Sequence, residues 1–192
     1  MPQEKFKQIT DSSLELFKKK MSDYGATWML FRYESIADQL WIKIKRVRVL
    51  EENNDHSLIN EGRRDEFVGI FNYAIIALMR LKFPDVFPDT ERVMENTALL
   101  DTITTELACE AYLKVANMAR ELMERKNHDY GDAWRSMSRA AITDQIIIKI
   151  LRIKNILRNG GKLLASENID AQFFDVINYC IFALIKIDEE GK

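Results

Sequence analysis

The stretch KMSDYGATW at residues 20–28 returns as KNHDYGDAW at residues 126–134, and this repetition decides the fold. Two further pairs repeat in the same order: IADQLWIKIKRV at 36–47 with ITDQIIIKILRI at 142–153, and FVGIFNYAIIALMRL at 67–81 with FFDVINYCIFALIKI at 173–187. The offset is the same in every pair, 106 residues, as between Tyr24 and Tyr130 (130 − 24), and no gap is needed. A constant offset over three ordered motifs identifies an internal duplication.

The sequence of each copy predicts three helices, because turn residues are scarce and the apolar residues recur with helical spacing. The chain has seven glycines and three prolines in 192 residues, too few for an all-β protein. The third helix of each copy is apolar on nearly every face, so neither copy can bury it alone. We therefore expect an all-α fold in which two three-helix units pack as a pseudo-twofold helical bundle. Copy one is expected over 1–82, a linker with an extra helix over 83–106, and copy two over 107–192.

Several helix ends are predicted from single residues. Gly25 and Gly131 are expected to close the first helix of each copy in the left-handed conformation. The second helix of copy one is expected to begin near Ser35, with Asp38 three residues on as an acidic partner for its first turn. In the linker, a helix from about Thr90 is expected to break near Asp101 and then lead into copy two.

Composition and charge narrow the function classes. The formal net charge is −2, so no global positive field would draw the chain onto nucleic acid or an anionic membrane. No apolar run approaches the roughly 20 residues that span a bilayer. Cys109 and Cys180 lie in apolar helical patterns and are expected to be buried free thiols, and the N-terminus lacks the apolar core of a signal peptide. We expect a cytoplasmic protein with no membrane or nucleic-acid partner.

The second helix of each copy carries a polar stripe on an otherwise apolar surface. Gln39, Lys43 and Arg46 stand at i, i+4 and i+7, which is one face of a helix. Copy two keeps the same pattern: Asp144, Gln145, Lys149 and Arg152. The stripe therefore predicts a polar site where the second helix meets a neighbour.

The third helix offers partners for this stripe. Asn72 and Asn178 are lone polar residues in apolar surroundings, and Asp175 lies one turn before Asn178, where copy one has Gly69. Two carboxylates, Asp144 and Asp175, could hold Mg²⁺ through oxygen ligands, and the adjacent lysine and arginine could bind phosphates. The same groups could instead satisfy one another as internal ion pairs that set the helix register. The pattern leaves both interpretations open.

The DYG-x-x-W motif also has two interpretations. Its aspartate and glycine suit a helix end, and its tyrosine and tryptophan could be core residues beside the turn. Alternatively, Tyr130 or Trp134 could stack on a nucleobase, and Asp129 could bind a sugar hydroxyl or a metal.

The order K-x-x-DYG-x-x-W, DQ-x-x-x-K-x-x-R and D-x-x-NY resembles the nucleotide modification associated domain family, in both copies. The resemblance implies a role near nucleotide or modified-base metabolism. A more distant resemblance is to the all-α NTP pyrophosphatases of the MazG-like superfamily, and it implies Mg²⁺ held by Asp144 and Asp175. Where that superfamily has several glutamates, this chain has Gln145, Ile148 and Lys149.

The resulting hypothesis is a nucleotide-binding protein, with Mg²⁺-dependent NTP pyrophosphate hydrolysis as its enzymatic form. Lys149 and Arg152 would neutralise charge on the phosphates, and copy two would be the working site. The expected substrate contacts are Asp129, Tyr130, Trp134, Gln145, Asn178, Lys43 and Arg46. The alternative is a non-catalytic scaffold whose stripes are internal ion pairs. The partner would be a phosphorylated small molecule, and self-association of the chain is left open.

Overall fold

The computed structural model describes residues 2–59, 61–161 and 168–190, and within them every regular element is helical. The α-helices are α1 (Pro2–Tyr24), α2 (Tyr33–Glu52), α3 (Arg63–Lys82), α4 (Thr90–Glu95), α5 (Thr105–Tyr130), α6 (Arg139–Arg158) and α7 (Ile169–Glu190). Short 3-10 segments lie at Thr27–Leu30, Thr97–Thr102 and Ala133–Ser136. The predicted all-α fold with a tandem repeat is confirmed.

The glycines of the DYG motifs close the first helix of each copy as predicted. Helix α1 ends at Tyr24 and α5 ends at Tyr130. Gly25 and Gly131 follow with φ of +62° and +61°, so both have the positive φ that was predicted, although the ψ of −161° at Gly131 lies outside the left-handed helical region. A Cβ at either glycine would meet nothing within 4 Å, so it is the backbone conformation and not the available space that favours glycine here.

Other helix ends differ from the sequence-based expectations. Helix α2 begins at Tyr33, two residues before Ser35, near which its start was expected. The linker helix is shorter than expected, because the break falls at Asn96 and not near Asp101. The Asn96 side chain accepts a hydrogen bond from the amide of Ala98 at 3.2 Å, and this local turn competes with continuation of the helix.

Helices α3 and α7 form the centre of the bundle and pack against each other, with α2 beside α3 and α6 beside α7. Phe71 and Ile75 of α3, and Ile177 and Ile181 of α7, have no exposed surface. The burial expected for the third helices is therefore confirmed.

The two cysteines are buried free thiols, and burial raises the pKa of Cys180 well above its usual range. Among the described helices, none combines the length and the apolar character that a membrane-spanning helix requires.

The first helix of each copy contacts the central helices of both copies. Helix α1 packs on α7 of copy two and on α3 of its own copy, and α5 packs on α3 of copy one and on α7 of its own copy. The described lining of each pocket nevertheless comes from one copy, between residues 16 and 76 in copy one and between residues 123 and 182 in copy two. The helix contacts across the repeat make the two halves of the chain one packed unit.

Helices α2 and α6 meet through reciprocal ion pairs that have the symmetry of the repeat. Lys154 of α6 binds Asp38 of α2, and Arg48 of α2 lies 3.8 Å from Asp144 of α6. Asp38 corresponds to Asp144, and Arg48 corresponds to Lys154, at the offset of 106 residues. Exchanging the copies exchanges the two pairs, which is the relation expected of a pseudo-twofold axis between α2 and α6.

Candidate functional site

Each copy contains a pocket lined by equivalent residues. The copy-one pocket encloses about 630 Å³ and includes Lys20, Tyr24, Trp28, Lys43, Asn72 and Tyr73. The copy-two pocket encloses about 590 Å³ and includes Lys126, Tyr130, Trp134, Lys149, Asn178 and Tyr179. These six pairs all share the offset of 106 residues. Both volumes lie in the range of small-molecule sites, about 300–1,000 Å³.

A buried carboxylate anchors the copy-two pocket. Asp175 of α7 is 7% exposed. Its Oδ1 lies 2.6 Å from the Nζ of Lys126 on α5, and its Oδ2 lies 2.6 Å from the Nζ of Lys149 on α6. The polar stripe of α6 therefore faces α7 as the sequence indicated, and Asp175 joins three helices at one point.

The equivalent carboxylate of copy one lies one helical turn earlier. Glu66 of α3 is 3% exposed and binds Arg46 and Lys43 of α2, the latter at 3.2 Å. A Cβ at Gly69 would lie 2.9 Å from the Cε of Lys43, so the lysine chain covers the place that Asp175 has in copy two. The sequence pattern did not single out Glu66. Its signal was a carboxylate one turn before Gly69, on the same face of α3.

The two asparagines of the pockets differ in their hydrogen bonds. The hydroxyl of Tyr112 donates to the Oδ1 of Asn72 at 2.6 Å. Asn178 is 5% exposed, and neither its Oδ1 nor its Nδ2 has a partner within the described residues. The position of α1 that corresponds to Tyr112 is the buried Phe6, which has no hydroxyl. The first helix of copy two therefore supplies a partner to the asparagine of copy one, whereas α1 supplies none to the asparagine of copy two.

The indole groups show the same asymmetry. Trp28 Nε1 donates to the Sδ of Met21 at 3.0 Å, whereas the buried Nε1 of Trp134 has no partner in the described part of the chain. Phe182 stacks on Trp134 with ring centroids 4.5 Å apart, and the Arg135 guanidinium lies 4.6 Å from the Trp134 centroid. Because Phe182 and Arg135 both lie over this indole and the side chain is buried, the ring is not available for the stacking that was predicted for Trp134.

The remaining predicted site residues are divided between the pocket and the surface. Tyr130 is 77% exposed and lines the copy-two pocket, so its ring stays available for stacking. Asp129 is exposed and is not among the residues that line the copy-two pocket. Gln145 and Arg152 are also outside the lining, and Arg152 is exposed. Arg46 is engaged by Glu66, so it is not free to bind a ligand in copy one.

The donor set does not fit the predicted magnesium site. The side chain of Asp144 is 58% exposed and faces Arg48 across the α2–α6 contact, so it does not share a site with Asp175. Both oxygens of Asp175 contact ammonium groups. Over the described ranges, no three acidic, histidine or cysteine side chains come together as a metal site. The magnesium prediction thus has no support from the arrangement of these residues.

Replacement of Asp144 with alanine is expected to change the free energy of unfolding by less than about 1 kcal/mol, because its pair with Arg48 is exposed. The binding of any ligand in the copy-two pocket is expected to be unchanged. Urea denaturation followed by circular dichroism measures the first quantity and calorimetric titration the second. A loss of binding would mean that Asp144 contributes to the copy-two pocket.

The linings of the two pockets differ in charge at positions that the structure describes in both copies. Each lining has two equivalent lysines. Copy one adds the carboxylates of Asp65 and Glu66, which correspond to the uncharged Ala171 and Gln172, whereas copy two adds only that of Asp175 at these positions. Burial, and then the charge of Asp175, raise the pKa of the Tyr179 phenol, so this group stays a hydrogen-bond donor at neutral pH. Copy two is the better electrostatic match for an anion.

The fold and the pockets define an all-helical tandem-repeat protein with one polar, aromatic-lined pocket in each copy. The family model for nucleotide modification associated domain 1 matches residues 20–81 and 126–187. The chain therefore belongs to this family, in two tandem copies, and the predicted family resemblance is confirmed. No curated protein and no solved structure matches the chain. The distant resemblance to the MazG-like pyrophosphatases stays a prediction.

Proposed function

We propose that the chain binds a nucleotide, or a similar phosphorylated ring compound, in the copy-two pocket. One contrast carries the proposal. The amide of Asn72 and the indole of Trp28 have partners within the chain, whereas the buried amide of Asn178 and indole of Trp134 have none among the described residues. A buried polar group without a partner costs about 1–3 kcal/mol, and a bound ligand can remove that cost.

The chemistry of the lining supports a nucleotide as the ligand. The Asn178 carboxamide presents one donor and one acceptor edge, and every nucleobase offers a complementary pair. The exposed ring of Tyr130 can stack on a base. Lys126 and Lys149, which line the same pocket, supply positive charge for a phosphate. The family description, which concerns nucleotide modification, agrees with this ligand class.

The proposal is tested by titrating the purified chain with ribo- and deoxyribonucleoside mono-, di- and triphosphates. At a ligand concentration of about 100 Kd, binding to the native state adds about 2.7 kcal/mol of stability, which a thermal shift detects. Calorimetry then gives the affinity and the number of sites, and we expect one site for each chain.

The duplication provides a matched control. Lys149→Met is expected to weaken binding by about tenfold or more, whereas Lys43→Met, the same change in copy one, is expected to leave the affinity unchanged. Equal effects of the two substitutions would contradict a site in copy two. The absence of binding by any nucleotide in the panel would contradict the proposal as a whole.

The same protein and the same nucleotide panel distinguish two other candidate functions from simple binding. Pyrophosphate hydrolysis, the enzymatic form of the prediction, is tested by pyrophosphate release from the triphosphates of the panel. The alternative, a non-catalytic scaffold, is favoured by the ion pairs of Asp175 and Glu66, which join helices in both copies. A scaffold would bind no nucleotide and would tolerate an apolar replacement of a whole ion pair.

A further inference from the structure

Two ammonium groups converge on one carboxylate in the copy-two pocket, at the place where a metal was predicted. Lys126 and Lys149 come from different helices, and each lies 2.6 Å from a different oxygen of Asp175. Lys149 is mostly buried, whereas Lys126 is about half exposed at the pocket. Each ammonium has three donors, so contact with Asp175 leaves donors on both that can bind another anion.

We infer that the copy-two pocket binds the phosphate of its ligand directly through Lys126 and Lys149, without a divalent metal. The inference rests on the proposed nucleotide-binding function and names how that site recognises its ligand. Asp175 serves as a positioning residue: it holds the two lysines in place and does not coordinate an ion. A ligand that meets fixed ammonium groups loses less affinity to the ordering of long side chains.

Copy one shows why the arrangement is particular to copy two. There the buried carboxylate is Glu66, and it binds Lys43 together with Arg46 of the same helix. Lys20, the counterpart of Lys126, lines a pocket that also contains Asp65, whose counterpart in copy two is the uncharged Ala171. An additional carboxylate repels a phosphate, so the described residues favour an anion more in copy two than in copy one.

The first experiment compares calorimetric titrations of a nucleoside monophosphate in EDTA and in excess Mg²⁺. We expect the two affinities to agree within about twofold, because Lys–phosphate contacts require no metal. Binding that appears only with Mg²⁺ would overturn the inference and leave the proposed function intact. The absence of binding in both buffers would overturn the proposed function itself.

The second experiment separates a metal ligand from a positioning residue. If Asp175 held a metal, Asp175→Asn would abolish binding. If Asp175 only positions lysines, the same change removes a competing negative charge but also frees the two ammonium groups, and because these effects oppose each other we expect the affinity for the monophosphate to stay within about tenfold of the parent value. A loss of more than about tenfold, in a variant whose circular dichroism spectrum is unchanged, would overturn the inference.

The matched control is Glu66→Gln in copy one, which is expected to leave nucleotide affinity within about twofold because copy one has no role in this binding. If Asp175→Asn does not fold, the pair Lys126→Met and Lys126→Arg keeps the test open. The first is expected to weaken monophosphate binding by about tenfold and the second to restore most of it, since arginine keeps the charge. Equal affinity of the methionine variant and the parent protein would overturn the inference.

Discussion

Replacement of Asn178 with leucine is expected to raise the free energy of unfolding by about 1–3 kcal/mol and to weaken nucleotide binding by about tenfold or more. Both effects have one cause. The buried carboxamide has no partner among the described residues. An apolar side chain at this position avoids the free-energy cost of removing that amide from water in the ligand-free protein. The same substitution takes away the groups that we expect to bind the base.

The control for this substitution is Asn72→Leu. Asn72 accepts the hydroxyl of the fully buried Tyr112, so its loss strands that hydroxyl and is expected to lower the free energy of unfolding by about 1–3 kcal/mol. Urea denaturation of both variants, with calorimetric titration of each, measures the four quantities. If Asn178→Leu and Asn72→Leu destabilise the chain equally, the asymmetry between the pockets is not a property of the protein in solution.

Replacement of Glu66 with alanine is expected to lower the free energy of unfolding by about 2–4 kcal/mol. The carboxylate is 3% exposed and is the shared partner of Lys43 and Arg46. Its removal leaves both cations beside the buried surface of α3. The effect stays below the upper limit for a fully buried pair, because the two cations are each about one quarter exposed and retain part of their hydration.

The same arginine supplies an internal control. Glu61 also binds Arg46, at 3.2 Å, but its side chain is 59% exposed. Glu61→Ala is therefore expected to cost less than about 1 kcal/mol. Chemical denaturation at neutral pH measures both variants. A Glu66→Ala loss no larger than that of Glu61→Ala would mean that the buried ion pair contributes nothing beyond a surface contact.

The two pockets show how a duplicated fold can assign different roles to equivalent positions. Copy one satisfies its asparagine, its tryptophan and its buried carboxylate from within the chain. Copy two satisfies its carboxylate with two lysines and leaves the amide and the indole edge unpaired in the described residues. The paired polar groups of copy one stabilise the chain, and this stability can offset the free-energy cost of the unpaired groups of copy two because both copies belong to one packed unit.

The sequence by itself determined the helical class, the duplication and the meeting of the second and third helices. These features follow from local periodicity and from the fixed offset of 106 residues, which need no knowledge of how helices cross. The stripe residue Lys149 and its partner Asp175 were found in this way. The glycine that ends each first helix was found from the chain as well, since it depends on backbone conformation alone.

The tertiary structure alone decided which polar groups find partners. Asp144 was predicted to share a site with Asp175, yet it faces Arg48 of the other copy. Asn72 and Asn178 looked alike in sequence, and they differ because the first helix of copy two brings the hydroxyl of Tyr112 to Asn72. Such pairings depend on the crossing of helices that are distant in the chain, and helical periodicity carries no information about that crossing.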